Sequence, residues 1–180
     1  MLTVTQVLGK YADFSKIKPE VLRAACDRGT NLHACISGMF EDLWSKEDPA
    51  IAGYLQSFKR WREEFVVETA LVEKRLISEK WGYSGKIDWV GRMRGDNKLR
   101  VIDWKSPLVG TLIHKLQVAA YRNLAIENGY DIGEAGCLYL KKNGDPAIFK
   151  SSDNQIVHFQ IFLHALWSHR GILGEGGKRE

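Results

Sequence analysis

The residues best suited to chemistry sit in two β-favouring runs. "RVIDWKSP", Arg100 to Pro107, sets Asp103 and Lys105 two residues apart, directly after Val101 and Ile102. Period 2 sends both side chains to the same face of a strand. "KIDWVGRMR" carries a second acid, Asp88. A hairpin turning on Gly95 and Asp96 sets Asp88 opposite Asp103. Opposed residues on adjacent strands have Cβ atoms roughly 4.5–5.5 Å apart. Two carboxylates so placed repel unless something positive lies between them. A hard divalent cation such as Mg²⁺ takes carboxylate oxygens. It can lower the pKa of a water and offset charge on a phosphate. Spacing alone favours an ordinary Asp103–Lys105 ion pair. Asp96-Asn97-Lys98 has the same spacing within the turn, where solvated side chains are expected.

The elements that must position these residues follow from composition and periodicity. The 180-residue chain is 44% hydrophobic and 27% charged, the balance of a globular fold with a sizeable core. No apolar run approaches the ~20 residues of a membrane span. The stretch "MLTVTQVLGK" lacks the basic and apolar regions of a secretory leader. Three cysteines, Cys26, Cys35 and Cys137, are odd in number and lack Cys-x-x-Cys spacing. That predicts a reducing, cytoplasmic setting with no disulfide framework or cysteine metal site. The net charge of +4 permits nucleic acid as a partner without requiring it.

The first third reads helical. "KPEVLRAACDRG" has Pro19 near a start and Gly29 at an end. "NLHACISGMFEDLW" carries an apolar stripe, and "DPAIAGYLQSFKRWREEF" predicts a longer helix from about Asp48. Residues 66–80 mix β-branched residues with charge, as half-buried strands do. "KIDWVGRMR" and "KLRVIDWKS" complete a three-stranded meander. "TLIHKLQVAAYRNLAIENG" is the clearest helix, ended by Gly129. A second hairpin around "NGDP", a helix from "QIVHFQIFLHALWSH" and the polar tail "GEGGKRE" follow. The order predicts an α/β (α+β) fold with a central mixed sheet of about five strands flanked by helices. One domain is expected over 1–180: a helical part at 1–64, a core sheet and helix at 65–153, and a C-terminal helix and tail at 154–180. A domain boundary near residue 64 is the alternative.

Three further features join the acids. "GYSGKID" places a glycine three residues before Asp88. "QVAAY" sets Gln117 and Tyr121 at i,i+4 on one helix face, and "RGTNLH" puts His33 near the start of an earlier helix. In this order the set resembles the RecB-type exonuclease branch of the PD-(D/E)XK nuclease superfamily, phage-type members included. The motifs of that branch run Arg-Gly-x-x-x-His, Glu, Gly-x-x-Asp, Asp/Glu-x-Lys and Gln-x-x-x-Tyr. The match covers Arg28 to Tyr121, about half the chain.

The resemblance implies a restriction-endonuclease-like core and a metal-dependent DNA exonuclease that cuts phosphodiester bonds with a metal-activated water. It implies catalytic roles for Asp88, Asp103, Lys105 and Glu73. One or two Mg²⁺ or Mn²⁺ ions would be held by His33, Asp88, Asp103 and the backbone carbonyl of Trp104. Glu68 and Glu79 compete with Glu73 for the family's strand glutamate. Gln117 and Tyr121 would contact DNA or support the site, with Arg28, Arg92 and Arg94 as further DNA contacts. Three cysteines cannot supply the four ligands of the iron–sulfur cluster some relatives carry, so no cluster is expected. The implied partners are DNA ends, single- or double-stranded, and a single-strand annealing protein, in the cytoplasm of a bacterium or phage-infected host. The implied setting is recombination, repair or DNA processing. A nicking or structure-specific endonuclease, and a non-catalytic DNA-binding protein of the same fold, remain alternatives.

Plainer readings stand beside these. Gln117 and Tyr121 fit a helix face packed on the sheet. Trp61 with Lys59, Arg60 and Arg62 fits a solvated helix face or a base-stacking cluster. Arg92, Arg94, Lys98 and Arg100 crowd the hairpin tip. His114 is expected to be exposed, His158, His164 and His169 structural or solvent-facing, and the cysteines small core residues.

Overall fold

A computed structural model describes residues 1–43, 48–106 and 111–171. Trp44 and the tail from Gly174 to Glu180 lie outside them. The chain begins with β1 (Leu2–Thr3) and α1 (Val4–Gly9), which sequence patterning did not single out. Thr3 and Gln6 cap α1 reciprocally, each side chain accepting from the other's backbone amide. Helix α2 (Pro19–Phe40) and α3 (Ala52–Phe65) follow, then β2 (Val66–Ser78), β3 (Tyr83–Met93) and β4 (Leu99–Lys105). Helix α4 (Leu112–Glu127), β5 (Ile132–Tyr139), β6 (Ile148–Ser151) and α5 (Gln155–His169) complete the described chain. None of these helices is long and apolar enough to cross a membrane.

Two helix boundaries differ from expectation. Gly29 does not end a helix: α2 runs through it, because open space beside Gly29 and the apolar stripe beyond it favour continuation. His33 therefore stands in the second half of α2 rather than near a helix start. Asp48 instead caps a turn, accepting from Ala50 N at 2.8 Å, and α3 begins at Ala52.

The sheet is mixed and six-stranded. β2, β3 and β4 form the antiparallel meander, β5 lies parallel to β4, and β6 returns antiparallel. The parallel step requires a crossover, and α4 supplies it. Trp89 pairs with Ile102, Val90 with Val101 and Gly91 with Arg100, the register that a turn on Gly95 and Asp96 demands.

Helices cover both faces. α1, α4 and α5 bury Val7, Leu124 and Phe162 against Ile87, Val90, Val101 and Tyr139. α2 and α3 bury Ile36, Phe58 and Trp61 against Trp89, Ile102, Trp104 and Leu138. Trp61 is 1% exposed and meets Trp89 edge-on with centroids 5.8 Å apart, so it belongs to the core and not to a solvated or base-stacking cluster. Its burial contributes roughly 1.5–3 kcal/mol. Cys35 and Cys137 are buried as expected, whereas Cys26 is exposed.

Candidate metal and phosphate site

The site forms where the sheet is irregular. Ile87 and Trp89 are two residues apart yet pack into opposite cores, so strand alternation slips at Asp88. Across from it, Glu73 has φ +47°, which costs a residue with a Cβ roughly 1–2 kcal/mol. The ladder pairs Val72 with Trp89 and Lys74 with Ile87, bracketing Glu73 and Asp88. Strain of this kind concentrates at functional positions. On the other edge of β3, β4 pairs only as far as Trp89–Ile102, while Leu2 of β1 pairs with Tyr83 farther along. Asp88 thus sits at a fork between β3 and β4. Its Oδ2 accepts from the Trp104 amide at 2.8 Å and fixes the opening.

Side chains converge on the fork from both layers. His33 descends from α2 with Nδ1 2.9 Å from Glu73 Oε1 and 3.5 Å from Asp88 Oδ1. Its Nε2 lies 3.2 Å from the Trp104 carbonyl oxygen. Asp103 alternates with Ile102 and Trp104 and so faces α4. Its Oδ2 is 2.6 Å from Lys105 Nζ, which donates to Gln117 Oε1 at 3.2 Å. Gln117 Nε2 in turn donates to the Tyr121 hydroxyl at 3.1 Å. The expected i,i+4 pair is thus one hydrogen-bonded chain reaching Lys105. Gly85 makes it possible: a Cβ there would lie 2.6 Å from Tyr121 Cε1 and 2.9 Å from Leu124, so only glycine lets α4 approach β3 so closely.

The electrostatics are those of crowded anions. Burial pushes Asp88 above the usual carboxylate range; His33 opposes this and the nearby Asp103 charge adds to it. Burial alone would favour neutral His33, but Asp88 and Glu73 outweigh it and lift its pKa to about 10. Both ring nitrogens face oxygen atoms, an arrangement that the doubly protonated ring satisfies. Burial would raise Glu73, yet hydrogen bonds from His33 and Lys86 hold it below its ordinary value. Lys105 is desolvated, but Asp103 and Asp88 keep it charged above the ordinary lysine range. Burial raises the Cys137 thiol to about 12, so its sulfur, 3.9 Å from Asp103 Oδ2, stays protonated.

The donor set suits a hard divalent cation. One ligand atom each from His33, Glu73 and Asp88 lies within 4.8 Å of the others. Carboxylates suit Mg²⁺, and the imidazole tilts the set toward Mn²⁺. Asp103 stands across the fork as the Lys105 partner rather than in that trio. Of the three competing glutamates, Glu73 alone meets His33: Glu68 pairs with Arg92 at 2.7 Å, and Glu79 lies exposed beyond β2.

Other expected residues lie elsewhere. Arg92 is tied to Glu68, and Arg94 is exposed at the hairpin tip. Arg28, half-buried on α2, has a buried Nε without a hydrogen-bond partner among the described residues. Asp96 is not solvated as expected. It accepts from Arg100 through both oxygens at 2.6 Å and from the Met93 amide at 3.1 Å, while Lys98 pairs with Asp131. His114 is half-buried, not exposed, and feels the charges of Lys105 and Asp103. Sequence reading also missed Lys86, which pairs with Glu73. The signal was present: Lys86-Ile87-Asp88 is Asp-x-Lys reversed, on one strand.

No curated protein matches the chain. Among solved structures, the crystal structure of SSO0001 is similar at 15% identity and a TM-score of 0.37, over 61% of this chain and 53% of that one. The chain spans about half the length of that protein, and a likeness of this size carries no argument. The family model of the PD-(D/E)XK nuclease superfamily, by contrast, matches residues 5–176, taking in the fork, both layers of helices and the whole sheet from β2 to β6. A nuclease family match over nearly the full chain meets an acid–acid–lysine set gathered at one break in the sheet, and the chain belongs to the PD-(D/E)XK nuclease superfamily.

Proposed function

We propose that the protein is a metal-dependent DNA exonuclease of the RecB-type branch, acting on DNA ends in recombination, repair or processing. The observation that carries the reading is the convergence of Asp88, Asp103, Lys105, Glu73 and His33 on the fork between β3 and β4. His33, Glu73 and Asp88 would hold Mg²⁺ or Mn²⁺, with Asp103 and the Trp104 carbonyl beside them. When bound, the cation supplies an acidified water at neutral pH and a counter-charge for the phosphate. Lys105 presents its ammonium to the phosphate and orients the attacking water. Gln117 holds that ammonium in place, and Tyr121 holds Gln117. The Trp104 amide fixes the rotamer of Asp88. A single-strand annealing protein is the partner such a role would call for.

End-labelled linear DNA with Mg²⁺ or Mn²⁺ tests the reading, with closed circular plasmid alongside. Loss of linear DNA with the circle intact is the expected result. Nicking of the circle would replace the exonuclease with an endonuclease of the same fold. Undiminished cutting by Asp103→Ala would overturn the assigned chemistry.

A further inference from the structure

A second cavity adjoins the fork. It measures about 340 Å³ and lies between the first turns of α4, strand β5 and the β6–α5 junction. That is within the range of small-molecule pockets, about 300–1,000 Å³. Its floor is Val118, Cys137 and Tyr139. In the parallel ladder Cys137 is the neighbour of Asp103 and Tyr139 the neighbour of Lys105, so the cavity lies one strand over from those two residues on the same face of the sheet. Two further cavities among the described residues do not border the fork. One is lined by Lys59, Glu63 and Glu68 at the α3–β2 junction, the other by the ion-paired Asp96, Lys98 and Arg100.

The lining matches a nucleotide in two parts. Val118, Cys137 and Tyr139, almost fully buried, close the cavity's inner end with apolar atoms. The rim is cationic. Lys115 is neutralised by Asp153 at 2.9 Å, whereas Lys150 rests over the Tyr139 ring at 5.4 Å with no described carboxylate paired to it. His114 also lines the cavity, and its Nδ1 is buried without a hydrogen-bond partner among the described residues. An unmet buried nitrogen costs about 1–3 kcal/mol unless a ligand or water satisfies it.

We infer that this cavity binds the terminal deoxynucleoside monophosphate of the strand being cut, with Lys150 on its phosphate, His114 bonded to its polar edge and Tyr139 beneath its base or sugar. The ligand's identity rests on the exonuclease reading. The cavity and its unpaired groups do not. A pocket for one nucleotide beside the cleavage point would give an enzyme that removes units from an end, and an interior segment of duplex could not enter it.

The test is direct binding of deoxynucleoside 5′-monophosphate to the full chain by calorimetry, with the 3′-monophosphate and the unphosphorylated nucleoside as parallel arms. Lys150→Gln is expected to weaken monophosphate binding about tenfold, the loss of one charge-assisted contact, and to leave nucleoside binding unchanged. His114→Ala is expected to weaken all arms. Whichever monophosphate binds more tightly identifies the end that occupies the cavity. Both variants keep Asp88, Asp103 and Lys105, so thermal unfolding checks that each is folded. No binding at millimolar monophosphate by a wild-type protein that degrades linear DNA would overturn the inference and leave the exonuclease standing. Equal affinity for Lys150→Gln and wild type would overturn it as well. Binding by a protein that only nicks circles would sink the exonuclease reading and keep the cavity as a nucleotide site.

Discussion

Asp96-Asn97-Lys98 and Asp103-Trp104-Lys105 share one spacing and sit at the two ends of β4, in opposite surroundings. In the first, the acid turns back to Arg100 and the lysine reaches out to Asp131, so the two members never meet. Solvent screens the Lys98–Asp131 contact, whereas Asp96 and Arg100 are partly buried at the hairpin. In the second, acid and amine meet at 2.6 Å beneath α4, with side chains 2% and 18% exposed. Two more carboxylates, Asp88 and Glu73, lie nearby, with His33, Lys86 and Lys105 set against them. A spacing becomes chemistry when burial withholds water and several acids and their counter-charges crowd into one place. Neither condition is written in the motif itself.

The largest test of that contrast is activity. Asp103→Ala and Lys105→Ala are each expected to lower the cleavage rate on linear DNA at least roughly 10²-fold, the scale for removing a group that acts in the transition state. Asp96→Ala and Lys98→Ala should stay within about twofold of wild type, because their contacts end at the hairpin and at Asp131. A loss on the Asp96 side comparable to that on the Asp103 side would erase the distinction.

Cation binding separates the two triplets without any DNA. Millimolar Mn²⁺ at a hundred times its dissociation constant would stabilise the folded chain by ~2.7 kcal/mol. A rise in melting temperature should therefore appear in wild type and in Asp96→Asn. It should be absent in Asp88→Asn and much reduced in Glu73→Gln, which remove donors of the trio around His33. An undiminished rise in Asp88→Asn would place the cation somewhere other than the fork.

Packing offers a third contrast. Gly85→Ala should cost about 1–3 kcal/mol, the range for overpacking, because its Cβ would strike Tyr121 and Leu124. Through Tyr121 and Gln117 the displacement reaches Lys105. Denaturant unfolding reads the stability loss, and a fall in cleavage rate beyond it reads the misplaced ammonium. Gly95 stands in the other triplet's turn with φ +86° and open space around it, so there alanine meets backbone strain and no neighbour.

These contrasts also mark what the sequence made legible. The meander register could be read because a short turn between two β-branched runs leaves few alternatives, and the observed pairs follow it. Helix α4 was legible too, because its pattern and its closing Gly129 are local signals, whereas the parallel step it makes from β4 to β5 was not. The unbroken α2 was not, since a glycine stops a helix only when nothing beyond it packs, and Leu32, Cys35 and Ile36 do pack. The slip of the strand at Asp88 and the left-handed Glu73 were hidden as well. They arise from two layers of helices competing for one strand, a balance no window of sequence contains. Trp61 and Asp96 failed in opposite directions, one pulled into the core by aromatic neighbours and the other engaged by an arginine four residues on.

The smallest effect lies in the Asp96 turn and has a definite sign with pH. Hydrogen bonds from Arg100 hold the Asp96 carboxyl below its ordinary value of 3.8, with burial opposing only in part. Because the folded pKa is the lower one, the contribution to stability is fully present above the unfolded value. It fades as pH falls through the folded value, where the carboxyl protonates in both states. Asp96→Asn should therefore cost about 1 kcal/mol at pH 7, the upper end of the range for an ion pair that water still reaches, and nothing measurable well below pH 3. Urea unfolding of both proteins across that range reads the difference directly. High salt should shrink the neutral-pH gap further. A gap that persisted in acid would mean that Asp96 does not act through its charge on the guanidinium, since an asparagine can keep the bond from the Met93 amide.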